Sequence, residues 1–295
     1  MSSAVLILNP AAGGGTAADA VRPHVAALQA VLGEVEVRTT AAPGDATQLA
    51  ADAARAGASA VLAAGGDGTV FEVVNGLLPA DAPPALGVLP VGTGNSFVRD
   101  LHDGSLAAAV AGITSGCSRP VDAIRITHAG GVLHAVNLVS FGFSAQAGAL
   151  TNRRYKRFGA AGYVLAVLQS WLALTPERFA YQCDDGPDQT AHATLLSFCN
   201  SRFTGGSMRM APDALLDDGL LDVVRIGAMG RRRFLTSFPK IFAGTHGAMP
   251  EVSMARAARV SLSLPAPVQV MIDGEIRLLH PSALAVVPGA LQVLA

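Results

Sequence analysis

The stretch Val61-Leu62-Ala63-Ala64-Gly65-Gly66-Asp67-Gly68-Thr69 decides how this chain is read. Val61 to Ala64 is a short unbroken apolar run, the mark of a strand buried inside a parallel sheet. Gly65, Gly66 and Gly68 then permit a sharp turn that exposes backbone N–H groups. Thr69 is placed to cap or open a helix over Val70–Leu78. Together, strand, glycine turn and helix start make an anion site, because unpaired N–H groups and the positive end of the helix dipole point the same way. Asp67 is the odd member. A carboxylate repels a phosphate unless Mg²⁺ bridges the two, or unless the carboxylate takes a proton from an attacking hydroxyl. The combination points to phosphoryl transfer, although read alone these residues are also what an ordinary turn uses.

The flanking sequence repeats the pattern. Ala4–Leu8 is an apolar strand followed by Asn9-Pro10-Ala11-Ala12-Gly13-Gly14-Gly15-Thr16, with Thr16 placed to cap a helix over Ala17–Leu32. Val35–Thr40 is a second strand, and Gly44-Asp45 opens a helix over Ala46–Ala56. Ala60–Ala64 is the third strand. Ala85–Leu89 is the fourth, and Pro90-Val91-Gly92-Thr93-Gly94-Asn95 leaves its end. Strands alternating with helices predict βαβ units, a parallel sheet and helices on both faces. Ligands bind beyond the carboxyl ends of such strands, so loops 9–16, 65–69 and 90–95 should meet at one crevice.

The chain has 295 residues, 51% hydrophobic and 15% charged, which suits two core-rich domains with little disorder. Its net charge of −1 implies no polyanionic partner, and no nucleic acid is expected. Residues 1–122 carry 5 Lys/Arg against 11 Asp/Glu, whereas residues 123–295 carry 16 against 11. The basic half is the better candidate to face an anionic membrane. Three widely spaced cysteines form no disulfide framework and no zinc pattern, and neither a signal peptide nor a transmembrane segment is visible. A cytoplasmic protein, at most peripheral at the inner membrane face, is expected.

After about Asp122 the texture changes to strands separated by Gly, Pro and Asp turns: Val121–Thr127, Val132–Val139, Phe179–Asp184, Ala193–Phe198, Gly219–Ile226, Val260–Leu264 and Val268–Ile272. Helical intervals are expected only near Ala147–Leu174 and Arg231–Ala243. The predicted fold is an α/β N-terminal domain with a parallel sheet, residues 1–122, and a mainly antiparallel β-sandwich, residues 123–295. The tail, 283–295, is free to return to the first domain. Two acidic turns stand out in the second half. Asp218, in the run Asp213 to Val223, could give a hard cation one side-chain oxygen beside backbone carbonyls. Asp273 and Glu275, in Ile272-Asp273-Gly274-Glu275, could enter a site opposite Asp67. Asn152 to Phe158 is basic and leads into an amphipathic stretch around Trp171, which suits core packing or a membrane-interface helix. Arg231-Arg232-Arg233 reads as a lipid-phosphate contact or a solvated helix start.

Several common chemistries are excluded. No Gly-Lys-Ser/Thr follows a glycine loop, Gly92 to Phe97 fails the dinucleotide fingerprint at its last position, and no GxSxG elbow occurs. The seven histidines form no metal-spaced pair.

Six motifs in order resemble one family over nearly the whole chain. Residues 9–15, 65–69 and 90–97 are similar to the catalytic domain of the diacylglycerol and sphingosine kinases. Residues 205–212, 218–223 and 273–275 resemble the second domain of bacterial soluble lipid kinases. The resemblance implies ATP and Mg²⁺, with ATP contacts from Asn9, Pro10, Ala11, Ala12, Gly13, Thr40, Gly65, Gly66, Asp67, Gly68, Thr69, Glu72, Thr93 and Asn95. It implies a structural Mg²⁺ on Asp218 and the backbone oxygens of Leu215 and Leu220. The general base is then Asp67 or the late acidic turn; a late carboxylate, Asp273 or Glu275, is favoured, with Asp67 setting phosphate and metal geometry. Ser96 and Ser144 depart from the pattern, standing where many relatives carry Asp, and Ser96 removes one candidate metal ligand. The expected activity is phosphorylation of a hydroxyl on diacylglycerol, a sphingoid base or a related lipid at the membrane surface, with a homodimer left open. The alternatives are phosphorylation of a soluble acceptor in the manner of NAD kinase, and a non-catalytic nucleotide- or lipid-binding protein.

Overall fold

The computed structural model describes residues 3–150, 169 and 175–295. The basic run 152–158 and the stretch around Trp171 lie outside the described residues. The chain divides into two compact units, Met1–Ala123 with Pro288–Ala295, and Ile124–Val287.

In the first unit the strands are β1 (Ser3–Leu8), β2 (Glu34–Thr39), β3 (Ala60–Gly65) and β4 (Ala85–Pro90). All pair in parallel in the order β2-β1-β3-β4, and Val293 of β17 (Pro281–Leu294) adds beside Leu86 of β4. Their apolar runs allow burial on both faces: β3 is buried at every position. Leu6, Leu62, Leu89, Leu28 and Ile113 belong to the core on one face of this sheet. The segment expected as one helix over Ala17–Leu32 is broken into α1 (Ala17–Val21), a 3-10 turn (Arg22–His24) and α2 (Val25–Leu32). Pro23 lacks the N–H that a continuous helix needs. Two more helices, α3 (Asp45–Arg55) and α4 (Asp67–Leu77), pack closely at Gly76, where a Cβ would meet the Thr47 carbonyl oxygen at 2.2 Å. The last helix of this unit, α5, spans Leu106–Thr114.

The sheet fixes where function can lie. Register aligns Leu8 with Thr39 and with Ala64, and Gly65 with Pro90, so the carboxyl ends of all four strands form one edge. From β1 the chain goes to β2 on one side and β3 on the other, which makes the gap between β1 and β3 the topological switch point.

The second unit is built on strands β5 (Ser118–His128), which begins in the first unit, β6 (Gly131–Ala135), β7 (Leu138–Gly142), β8 (Glu177–Cys183), β9 (Gln189–Cys199), β10 (Phe203–Thr204), β11 (Met208–Arg209), β12 (Leu221–Gly227), β13 (Val252–Ala257), β14 (Arg259–Ser263), β15 (Val268–Ile272) and β16 (Glu275–Leu279). The pairings β16–β15–β7–β9–β8–β14 and β9–β12–β13 are all antiparallel. Helix α6 (Phe143–Leu150) follows β7. Among the described residues no helix is long and apolar enough to cross a bilayer.

Two differences from the sequence pattern have local causes. The run Val132–Val139 is two strands, because the amides of Val136 and Asn137 turn to the Asp273 carboxylate instead of a neighbouring strand. The interval Arg231–Ala243 is two short helices, α7 (Arg231–Ser237) and α8 (Pro239–Ala243), divided before Pro239.

Candidate active site

At the switch point the three glycine loops are in contact. Asn9 donates from its backbone N–H to the Ala64 carbonyl at 3.0 Å and from Nδ2 to Thr69 Oγ1 at 3.1 Å. The N–H groups of Val91 and Gly92 both donate to the Gly65 carbonyl at 3.1 Å. Backbones approach so closely that glycine is obligatory. A Cβ on Gly92 would lie 2.3 Å from Gly66 Cα, and one on Gly13, where φ is +60°, would lie 2.8 Å from the Val91 carbonyl oxygen. Over Gly14 and Gly15, by contrast, a Cβ would meet nothing within 4 Å.

Helix α4 begins at Asp67, with extended Gly66 as its N-cap, rather than at Val70 with Thr69 as the cap. The correction matters chemically. The N–H groups of Asp67 and Gly68 occupy the first turn, where no intrahelical acceptor exists, and they point along the dipole. Thr69 is instead the third residue of the first turn, buried, with its hydroxyl accepting the Asn9 side-chain amide. Thr16 likewise makes no side-chain cap; its hydroxyl donates to the Gly13 carbonyl at 2.9 Å and closes the first loop on itself.

Asp67 is half-buried, and its Oδ1 accepts the Ser96 N–H at 2.8 Å. Burial pushes its carboxyl above the usual carboxylate range, against the pull of Ser96 and the Phe97 N–H. A Cβ on Gly94 would lie 2.9 Å from Oδ2, so only glycine passes here. Asn95 adopts φ +46° and donates Nδ2 to the Gly92 carbonyl at 2.8 Å, while its Oδ1 is buried without a partner. An orphaned oxygen beside a buried carboxylate, next to the first-turn N–H groups of α4 and open space over Gly14 and Gly15, is a donor and acceptor set that fits a polyphosphate and its counter-cation. Ser96 aims Asp67 with both its N–H and its hydroxyl, so the serine that stands in place of an acid serves the neighbouring carboxylate.

The remaining expected contacts fall into different places. Thr40 lies at the same edge, its N–H donating to the Leu8 carbonyl at 2.9 Å, and Thr93 is exposed on its loop. Pro10 and Ala11 are exposed and Ala12 half-buried, the Ala11 N–H bonding Asn9 Oδ1 at 3.0 Å. Glu72 faces the start of α3: its carboxylate accepts the Gly44 N–H at 2.8 Å and the Ala46 N–H at 3.2 Å, capping that helix from outside.

In the second unit, Asp273 is buried at φ +48°, and its carboxylate accepts three amides, from Val136 at 2.8 Å and from Asn137 and Leu138 at 2.9 Å. Glu275, two residues on at the start of β16, is exposed. Asp218 Oδ1 accepts the Leu220 N–H at 3.1 Å, and Leu215 is exposed. Sequence reasoning missed Arg256, which reaches Asp218 at 3.6 Å, Asp222 at 3.4 Å and the Asp213 carbonyl at 3.0 Å. Burial raises the Asp222 carboxyl above its usual range despite Arg256. Among the described residues no group of three or more His, Cys, Asp or Glu could hold a metal, so Asp218 brings a single carboxylate. Ser144 forms a buried chain of hydroxyls with Ser140 at 2.6 Å and, through it, Ser197 at 2.5 Å.

The same unit contains a small apolar cleft, open to solvent. Ile226, Met229, Phe234, Phe238, Ile241 and Met249 line it, with His246. The His246 Nε2 faces the Met210 carbonyl at 3.0 Å, Nδ1 has no partner, and burial lowers the imidazole below its usual range, keeping it neutral.

The parallel sheet bends through glycine at its switch point with a carboxylate among the loops, and the second half is antiparallel. Residues 3–126 match the diacylglycerol kinase catalytic domain, and residues 137–295 match the YegS C-terminal NAD kinase β-sandwich-like domain. The chain is 33% identical over 291 residues to a diacylglycerol kinase of Mycobacterium tuberculosis, covering 98% of this chain and 93% of that one. To a diacylglycerol kinase of Bacillus subtilis it is 32% identical, covering 82% and 79%. A crystal structure from Bacillus anthracis str. Sterne, assigned to diacylglycerol kinase, superposes with TM-score 0.82 at 26% identity, covering 99% of this chain and 95% of that one. The chain belongs to the diacylglycerol kinase catalytic-domain family, of the bacterial lipid-kinase type, and is a phosphotransferase with an alcohol group as acceptor.

Proposed function

We propose that the protein transfers the γ-phosphoryl group of ATP to a hydroxyl of a neutral glycerolipid, diacylglycerol in the first instance. The observation that carries this reading is the junction of loops 9–16, 65–69 and 90–95 at the start of α4, with Asp67 inside it. The amides of Asp67 and Gly68 and the loop at Gly13 would hold the β- and γ-phosphates, with Asn9 and Thr69 fixing one loop against the other. Thr40, Thr93 and Asn95 would border the nucleotide, whereas Glu72 acts indirectly by ordering the start of α3. Mg²⁺, when bound, supplies neutralisation of the charge that develops on the transferred group. Asp67 and Asn95 Oδ1 are the oxygens offered to it in the first unit, and Asp218 with the carbonyls of Leu215 and Leu220 would form a separate structural site.

The acceptor hydroxyl must lose its proton. Asp273 is buried and spends both carboxylate oxygens on three amides, which leaves no oxygen turned to an acceptor hydroxyl. Glu275 is exposed and is the better proton acceptor of the late turn, with Asp67 orienting phosphate and metal. The likeness to relatives named diacylglycerol kinase supports a lipid over a soluble acceptor.

The test is transfer of labelled γ-phosphate from ATP to dioctanoylglycerol, to sphingosine or to NAD, with and without a chelator. Transfer to the glycerolipid that stops on chelation is expected. Turnover with NAD alone would replace this reading by the soluble-acceptor one, and nucleotide binding without transfer to any of them would make the protein a sensor.

A further inference from the structure

Strands β12 and β13 deliver a cation to the acidic turn that precedes β12. Their antiparallel register sets Arg256 directly opposite Asp222, and Asp218 lies four residues earlier in the turn, where Gly219 adopts φ +74°. Side chains directly opposite on one face of a sheet lie within reach of each other, so the register brings the guanidinium to these oxygens. Three of its nitrogens are used there. Nη2 donates to the Asp213 carbonyl at 3.0 Å, Nε donates to Asp222 Oδ1 at 3.4 Å, and Nη1 stands 3.6 Å from Asp218 Oδ2. The other Asp218 oxygen, Oδ1, accepts the Leu220 N–H at 3.1 Å. The oxygen that Asp218 can offer a cation is therefore the one Arg256 faces. Two carboxylates share this guanidinium, and the sharing is incomplete: Asp222 is 8% exposed, and its Oδ2 is buried with no donor. A buried carboxylate oxygen without a donor marks room for further positive charge.

We propose that Arg256 is a tethered cation for the structural site at Asp218: its guanidinium and a divalent ion are alternative occupants, and Arg256 holds the turn together when no ion is bound. The proposal rests on the assignment above of that site to Asp218 with the carbonyls of Leu215 and Leu220. The two cations exclude each other, because a divalent ion must approach its oxygens to about 2.0–2.6 Å and would meet the like charge of the guanidinium over Asp218 Oδ2. A tethered group competes at an effective concentration on the order of millimolar. A hard cation offered one carboxylate and backbone carbonyls binds weakly by charge count, so the guanidinium has the advantage. The second unit is thereby made independent of the ion that the phosphate site uses. Withdrawal of Mg²⁺ stops transfer without loosening the turn.

The experiment follows the thermal midpoint of the full-length protein, without nucleotide, in chelator and across a titration of Mg²⁺ or Ca²⁺. Wild type is expected to keep its midpoint in chelator, although chelation stops phosphoryl transfer. Arg256→Gln should lose about a few degrees in chelator and regain them as divalent ion is added. Half of that recovery should come at an ion concentration roughly tenfold or more below that of any shift in wild type. Arg256→Lys, which keeps the positive charge, should be as indifferent to the ion as wild type. Adding Asp218→Asn to Arg256→Gln should abolish the recovery, which places the ion at this turn and not at the phosphate site. An Arg256→Gln protein no more stable with divalent ion than in chelator overturns the proposal. So does a wild type whose midpoint falls on chelation as far as that of the variant, or a recovery that survives Asp218→Asn. Transfer that continues in chelator would remove the metal from the kinase reading and leave the role of Arg256 standing.

Discussion

Two Asp-Gly turns look alike in the sequence and behave oppositely in the structure. Asp67-Gly68 and Asp273-Gly274 each follow a buried apolar strand. Asp67 receives the Ser96 N–H at 2.8 Å on Oδ1, with the Ser96 hydroxyl and the Phe97 N–H also favouring its charge, yet burial outweighs them. Asp273 receives three amides and pins the turn between β6 and β7. What separates them is the balance of burial against donors: at Asp67 burial outweighs the Ser96 and Phe97 donors, whereas at Asp273 three amides tie the carboxylate to the backbone between two strands. Removing the acid that ties strands together should unfold; removing the one at the loop junction should stop turnover.

The largest expected effect is on Asp67. Asp67→Asn is nearly isosteric and should lower turnover by roughly 10²–10⁴-fold, while the thermal midpoint stays the same or rises. The sign follows from linkage. A carboxyl raised in the fold holds its proton to higher pH than in the unfolded chain, so charging it costs stability as pH climbs through that window, and asparagine removes the cost. A fall in stability comparable to the fall in rate would make Asp67 structural and collapse the comparison. Glu275→Gln sharpens it from the other side: a loss of similar order in kcat with an unchanged midpoint is expected, and a wild-type rate would return the role of base to Asp67.

Asp273→Ala should behave as the inverse. Three buried amides lose their acceptor and alanine inherits φ +48°, so a loss of roughly 3–5 kcal/mol in denaturant unfolding is expected. A stable, inactive Asp273→Ala would place this residue in the chemistry. Gly92→Ala is a milder test of the loop junction: a Cβ 2.3 Å from Gly66 Cα should cost roughly 1–3 kcal/mol and weaken nucleotide binding with it. The smallest effect concerns His246. Its imidazole is neutral in the fold and protonates more readily in the unfolded chain, so stability should decline as pH falls below the ordinary histidine range. His246→Gln should flatten part of that decline in midpoint-versus-pH measurements; an unchanged slope would assign it to His102 and His134, which burial also lowers.

Much of the first unit was legible because its signals are local. Continuous apolar runs mark buried parallel strands, and parallel strands in register must bring the loops at their carboxyl ends to one edge. Element boundaries were less legible where one residue breaks a favourable pattern, as Pro23 and Pro239 do, or where a partner far along the chain claims a backbone group, as Asp273 does at Val136. Strands β13 and β16 were missed altogether. Both are short and mostly exposed, as in Val252-Ser253-Met254-Ala255-Arg256-Ala257, and are held by pairing with a neighbouring strand, not by a buried face of their own.

By itself the sequence determined the class of each half, the βαβ order, the glycine loops and the presence of acids in turns, since these depend on residue type and spacing. Only tertiary structure decided what each acid does. Whether Asp67, Glu72, Asp218 or Asp273 orients a loop, caps a helix, pairs or ties strands together depends on amides and guanidinium groups brought from 26 to 137 residues away. A carboxylate is silent in sequence about its donors, because amides and guanidinium groups occur all along the chain and only folding aims them.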